Sequence, residues 1–206
     1  MNIFVLGATG RVGQLIVKKA IADQHHVTAL VRSPEKLSIH SNDLTIYQGN
    51  ALDQNDILYA MSGTDAVISA LNTDKNQTLS RSMPLILYAM RRHGISRIVT
   101  IGTAGILDSR TQNGLYRFQS NESKRRSTTA AEDHLAAYEL LRDSDLSWTV
   151  VCPTYLPDGE EKGFYRVEEN VLPEDGKSIT VGDTAAFAYE QLENLTHNKT
   201  RVGMAY

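Results

Sequence analysis

The chain opens on an apolar run, Asn2 to Leu6, that passes straight into Gly7-Ala8-Thr9-Gly10-Arg11-Val12-Gly13. Three glycines spaced G-x-x-G-x-x-G directly behind a strand leave few folds open. A strand that turns at once into a helix needs a residue without a Cβ at the turn, which is Gly7. Gly10 lets the backbone close on a pyrophosphate whose charge sits at the helix N-terminus, and Gly13 lets that helix pack against the strand. Helical spacing of Val12, Leu15, Ile16 and Ala20 then predicts an amphipathic helix over Gly10 to Ala22. The pattern is the entry of a dinucleotide-binding βαβ unit, with Gly7, Thr9, Gly10, Arg11 and Val12 as cofactor-binding residues.

Strand and helix patterns alternate down the rest of the chain. Strands are expected at Val27–Val31, Leu44–Gln48, Ala66–Ala70, Arg97–Ile101 and Ser147–Cys152. Helices are expected at Asp53–Met61, Thr78–His93 with Gly94 as C-cap, and Thr128–Asp143, and Ser33-Pro34-Glu35 starts a short one. Apolar strands alternating with helices mean a parallel sheet covered on both faces, so the expected fold is a single Rossmann-like doubly wound α/β domain over residues 1–206. The last fifty residues differ. Tyr165–Glu169 and Lys177–Val181 are expected to pair as a small β excursion, Val181-Gly182-Asp183-Thr184 to open a helix through Glu193, and Arg201–Met204 to form an edge strand.

Composition closes off several function classes. The net charge of −3 gives no electrostatic case for nucleic acid, and Lys124-Arg125-Arg126 reads as a short solvated loop. The one cysteine, Cys152, permits no internal disulfide and fits a reducing compartment, so the expected location is cytoplasmic. Cys152 itself ends an apolar strand and reads as a core residue. No Cys/His cluster has metal spacing, and the N-terminal apolar run is too short for a membrane span. The expected partner is a small-molecule acceptor, and the expected assembly a monomer or weak homo-oligomer.

Cofactor choice rests on the tip of the second strand, Leu30-Val31-Arg32-Ser33. A carboxylate there would grip ribose hydroxyls and favour NAD. Arg32 pairs instead with a 2′-phosphate and Ser33 adds a hydrogen bond, which predicts NADP(H) over NAD(H). The turn Asn50-Ala51-Leu52-Asp53 is expected to flank the adenine, although Asp53 serves equally as a helix cap. Ala70, Leu71 and Asn72 end the fourth strand at the ribose and nicotinamide side.

Together these residues resemble the atypical short-chain dehydrogenase/reductases, more narrowly the NmrA-like flavin reductase and biliverdin-IXβ reductase branch. Besides the glycine loop, the resemblance is carried by Leu30-Val-Arg-Ser-Pro-Glu-Lys-Leu37, Gly49-Asn-Ala-Leu-Asp53, Asp65-Ala-Val-Ile-Ser-Ala-Leu71 and His93-Gly-Ile-Ser-Arg-Ile-Val99. Asp133-His134, Val151-Cys-Pro153-Thr154 and Ser178-Ile-Thr-Val-Gly-Asp183 complete it. The resemblance implies hydride transfer from NADPH to a dissociable flavin or a tetrapyrrole. It places Thr103 near the nicotinamide and Tyr155 where a histidine often lines the substrate pocket, and makes both catalytic candidates, with Pro153 beside the cofactor. Tyrosine in place of histidine speaks more against the tetrapyrrole than against the flavin.

A tyrosine acid with a lysine four residues later is missing; the nearest pair is Tyr138 and Arg142. That argues against alcohol oxidation and sugar epimerisation, not against flavin reduction, where orientation and stacking suffice. His134 reads as solvent-facing or capping. Residues 107–127 form a long polar stretch in which Tyr116 and Phe118 could stack on a flat ring, either as a lid or as a mobile loop. An NADP(H)-sensing regulatory protein without turnover is the alternative function.

Overall fold

The computed structural model describes residues 1–74, 76–123 and 127–206, so the Lys124-Arg125-Arg126 run lies outside the described residues. The strands are β1 (Asn2–Leu6), β2 (His26–Val31), β3 (Leu44–Gln48), β4 (Ala66–Ser69), β5 (Arg97–Ile101), β6 (Ser147–Pro153), β7 (Arg166–Glu169) and β8 (Thr200–Ala205). The helices are α1 (Arg11–Ala22), α2 (Gln54–Ala60), α3 (Thr78–His93), α4 (Thr129–Arg142) and α5 (Val181–Glu190). They build a Rossmann-like α/β fold around one eight-stranded sheet, ordered β3-β2-β1-β4-β5-β6-β8-β7. All neighbours pair in parallel except β7 and β8. The order reverses between β1 and β4, and there the strands' carboxyl ends leave a crevice.

Period-two alternation sorts the core into two layers. Phe4 and Leu6 of β1 point to the face packed by Ile57 of α2, Met83 of α3 and Ala137 of α4. Ile3 and Val5 point to the other, against Ile16 and Val17 of α1 and Ala185 and Phe187 of α5. Cys152 is fully buried, and that burial pushes its thiol up to about 12, so it is an inert core residue.

The C-terminal expectations need correction. Tyr165–Glu169 does not pair with Lys177–Val181; β7 runs antiparallel to β8, and residues 177–181 form no strand but make the isolated Tyr155–Ser178 bridge, accept the Tyr206 amide at the Ser178 carbonyl and bury Ile179 and Val181. The strand expected at the edge, Arg201–Met204, is inserted between β6 and β7 and entirely buried. Its alternating apolar pattern is interrupted by Arg201 and Gly203. Arg201 is accommodated because its guanidinium donates to the Ile106 carbonyl and to Asp108 Oδ1 at 2.8 Å. Gly203 is required because a Cβ there would meet the Val171 carbonyl oxygen at 2.2 Å. Helix α5 ends at Glu190, short of Glu193. The Ser33-Pro34-Glu35 helix is a single 3-10 turn, Pro34–Lys36.

Candidate active site

The glycine loop is shaped as its spacing requires. Gly7 has a φ of +77°, and a Cβ on it would lie 2.3 Å from the Ala70 carbonyl oxygen. A Cβ on Gly13 would lie 2.2 Å from the Gly7 carbonyl oxygen, so α1 can pack this close to β1 only without one. Gly10 is the N-cap of α1 and supplies no side-chain cap, and the first turn carries no acidic residue. The amides of Arg11, Val12 and Gly13 find no hydrogen-bond partner among the described residues. Three open N–H groups at the positive end of a helix dipole form a site that suits an anion.

From this helix end a cleft of about 590 Å³ runs across the carboxyl ends of β4, β5 and β6 to the start of α4. Gly10, Arg11, Val12, Ala70, Leu71, Asn72, Thr103, Pro153 and Tyr155 all line it. Gly7 and Thr9 lie behind its wall, where the Thr9 carbonyl accepts the Gln14 side-chain amide at 3.0 Å. Arg32, Ser33, Asn50, Leu52 and Asp53 follow β2 and β3 outside the cleft. Arg32 is exposed and makes no ion pair among the described residues. Asp53 caps α2, accepting the amides of Asn55 at 2.8 Å and Asp56 at 3.1 Å. Ala51 is buried in the core beside Leu30, so its side chain supports the turn from beneath.

At the far end, Thr103 caps the turn Ala104–Ile106 by accepting the Gly105 amide, and it lines the cleft while doing so. Tyr155 is 65% exposed at the mouth, held by its backbone to Ser178 and Ile179.

His134 is not the solvent-facing residue its acidic neighbours suggest. It is half-buried and lines the cleft beside Ala130 and Ala131. Burial lowers its pKa to about 4 against the pull of the Asp133 charge, so the imidazole is neutral at physiological pH. Asp133 explains why this segment is fixed. The residue before helix α3, Gln77, is left-handed and makes no side-chain cap, and Asp74 reaches only the first residue, Thr78. Asp133 of α4 substitutes, accepting the Ser80 amide at 2.9 Å, the Leu79 amide at 3.3 Å, and the hydroxyls of Ser80 and Thr73 at 2.6 Å each. Burial opposes the charge, but these hydrogen bonds outweigh it and hold the carboxyl below its usual range. The loop after β4, helix α3 and helix α4 are thereby locked together at the cleft wall.

Where it is described, the long polar stretch is tied to the body of the fold, and part of it, Arg117, Phe118 and Glu122, lines the cleft. Asp108 bridges Tyr116, the Ser109 amide donates to the Leu115 carbonyl, and Arg110 reaches Glu168 and the Leu172 carbonyl. Tyr116 is not available to stack on a ligand: Phe118 lies against it, with centroids 6.4 Å apart, and the Arg201 guanidinium sits 5.3 Å from its ring. Phe118 lines the cleft; Tyr116 does not. Tyr138 packs against Trp148 and Arg201 in the core, away from the main cleft. Arg117, Glu122, Thr128 and Thr154 also line the cleft; Thr154 closes the Val151–Thr154 motif and Arg117 and Glu122 fall in the long polar stretch, but none of the four stands out as a site residue in the sequence.

Among the described residues no acid–histidine–cysteine group could hold a metal ion, and no helix is long and apolar enough to cross a membrane. The chain is 26% identical over 214 residues to the uncharacterised protein YwnB of Bacillus subtilis (strain 168), covering 98% of this chain and 96% of that one. Among solved structures it is similar to a candidate epimerase from Bacteroides thetaiotaomicron, with a TM-score of 0.87 and 27% identity over 100% of this chain and 96% of that one. It is also similar to SP1627 of Streptococcus pneumoniae TIGR4, a candidate NADH-flavin reductase, with a TM-score of 0.81 and 27% identity over 100% and 99% of the two chains. The NAD(P)H-binding family matches residues 7–195, almost the whole chain, and the protein belongs to that family.

Proposed function

We propose that the protein is an NADPH-dependent reductase that passes hydride to a dissociable flavin, FMN or riboflavin, or to a similar flat acceptor. One observation carries the reading: a single cleft connects an anion-receptive helix start to a compartment walled by Thr103, Ala104, Phe118, Ala131 and His134. When bound, the nicotinamide supplies the hydride. The amides of residues 11–13 would hold the pyrophosphate, Gly10 gives the backbone its close approach, and Arg32 and Ser33 would take the 2′-phosphate. Ala70, Leu71, Asn72 and Pro153 would flank the nicotinamide half. Thr103 and Tyr155 are the residues we place nearest the reacting atoms, Thr103 as a hydroxyl donor and Tyr155 as a wall at the mouth.

The chemistry asked of the side chains is modest. With His134 neutral, Tyr138 in the core and Glu122 held as a carboxylate, the charged groups of the described cleft are guanidinium and carboxylate, neither a ready acid, as suits an acceptor that takes its remaining proton from water. An epimerase would need a positioned acid–base pair, and neither His134 nor Tyr138 supplies one. The likeness to SP1627, a candidate NADH-flavin reductase, supports the flavin acceptor in this reading; the choice of NADPH rests on Arg32 and Ser33. Turnover of NADPH with FMN, riboflavin and a quinone in turn tests it. Tight NADPH binding without consumption by any acceptor would overturn it in favour of a regulatory binding protein.

A further inference from the structure

Arg117 stands in the cleft with donors it does not use. It opens the turn Arg117–Gln119 and lines the wall next to Phe118, with its side chain 20% exposed. Its Nε is buried and faces Glu122 across an ion pair too long for a good hydrogen bond, and its two Nη groups make no hydrogen bond among the described residues. The nearest charge is Glu122 Oε1, at a long 3.5 Å.

Glu122 is a partial counter-charge at best. Its Oε2 already accepts the Ser109 hydroxyl and the Arg110 amide. Burial opposes the Glu122 charge, but these bonds and the nearby Arg117 hold its carboxyl below the usual range. The other charged residue on this wall system, Arg11, is occupied by Asp158 Oδ1 and the Leu156 carbonyl. A planar guanidinium in a half-closed cleft, with Nε turned to Glu122 and both Nη groups open among the described residues, suits a ligand that carries oxygens to meet those Nη donors. Phe118, the next residue, presents an aromatic ring to the same cleft, and its other neighbour, Tyr116, is already covered.

We propose that Arg117 is an anion anchor that sets acceptor specificity. The preferred acceptor is a flat ring carrying a phosphate, carboxylate or sulfonate-like group, with that group on Arg117 and the ring beside Phe118. The inference rests on reading the cleft as a reductase site, and deepens it by naming the acceptor's charge.

Two matched pairs test it: FMN against riboflavin, and naphthoquinone sulfonate against unsubstituted naphthoquinone. Within each pair the reducible ring is kept and the anion is lost. The expected result with NADPH is a preference of about tenfold in kcat/KM for the anionic member, the size of one charge-assisted hydrogen bond. Arg117→Gln should erase that preference by slowing only the anionic member, Arg117→Lys should restore part of it, and Glu122→Gln should widen it. Equal turnover within both pairs by the unaltered protein, or equal loss for both members in Arg117→Gln, would overturn the anchor. Inert flavins beside a preferred sulfonate would reject the flavin acceptor and uphold the anchor. If no acceptor turns over, the reductase reading fails; calorimetric binding of the two naphthoquinones to the NADP+-saturated protein then decides the anchor by the same preference and the same loss.

Discussion

Arg11 Nη1 lies 2.8 Å from Asp158 Oδ1 and 3.1 Å from the Leu156 carbonyl oxygen, which ties the first residue of α1 to the segment after β6 across the cleft mouth. The pair is largely exposed, at 56% and 81% of the two side chains, so it is a weak tether. Anionic phosphates at the α1 start would compete with Asp158 for the same guanidinium. Asp158→Asn is therefore expected to tighten NADPH binding by about two- to fivefold, in line with an exposed ion pair worth less than ~1 kcal/mol. Isothermal titration at low and high salt checks this, because the gain should shrink as salt rises. Weaker binding in the variant would show that Asp158 supports the site instead.

Gly13→Ala places a methyl where 2.2 Å separates the Cβ position from the Gly7 carbonyl oxygen. Backbone cannot give way there without moving α1 from β1. Urea unfolding should show a loss of roughly 3 kcal/mol, at the upper end for overpacking, with weakened NADPH binding in the fraction that folds. An unchanged midpoint would mean that helix and strand are less closely packed than described.

Arg32 is exposed and free of ion pairs among the described residues, as a residue waiting for a phosphate should be. Arg32→Ala should raise KM for NADPH by about tenfold and leave KM for NADH nearly unchanged, the signature of one lost phosphate contact. Equal effects on the two cofactors would remove the basis for NADPH preference.

Asp133 joins three segments at the cleft wall, and its carboxyl is held below its ordinary value by Ser80, Thr73 and Leu79 against the opposing effect of burial. A carboxyl lowered in the folded state stabilises that state above the unfolded value near 3.8, and the contribution is lost as pH falls through the lower folded value. Asp133→Ala should cost about 2–4 kcal/mol at neutral pH, since it orphans two amides and two hydroxyls. Its stability should also fall less steeply than that of the unaltered protein on acidification, as followed by urea midpoints across the acid range. His134 adds a drop of its own: it stays neutral down to about pH 4 while the unfolded imidazole protonates near 6.5, so acidification between these values favours unfolding.

What could be read from the chain alone follows from where the information sits. Gly7, Gly10 and Gly13 act within one turn, and a local steric rule is written in local spacing. The strand–helix alternation through Cys152 was legible for the same reason, since each element buries a face whose period shows in a short window. From Tyr165 onward the elements themselves, β7, α5 and β8, are legible, but their pairing and order in the sheet are not. Whether β8 lies at the edge or between β6 and β7 depends on Arg201 finding Ile106 and Asp108, partners nearly a hundred residues away. The site divides likewise. Gly10, Val12, Ala70, Thr103 and Pro153 end strands or begin a helix, so topology alone brings them together. His134 was misjudged because its neighbours Glu132 and Asp133 suggest solvent, whereas Asp133 is consumed in capping another helix. Arg117 is signalled only through the long polar stretch around it: its own place in the cleft comes from the folding of residues 107–123 back onto Arg201 and Leu172, a tertiary event with no sequence period.

The central claim is that this cleft passes hydride from NADPH to a flat acceptor. The most direct measurement is the loss of the reduced-nicotinamide absorbance band with NADPH or NADH and FMN as acceptor. Rapid loss with NADPH and FMN, and slow loss with NADH, is the result predicted here. NADPH that binds, as shown by a thermal shift, yet persists with FMN, riboflavin and quinone alike would contradict the account.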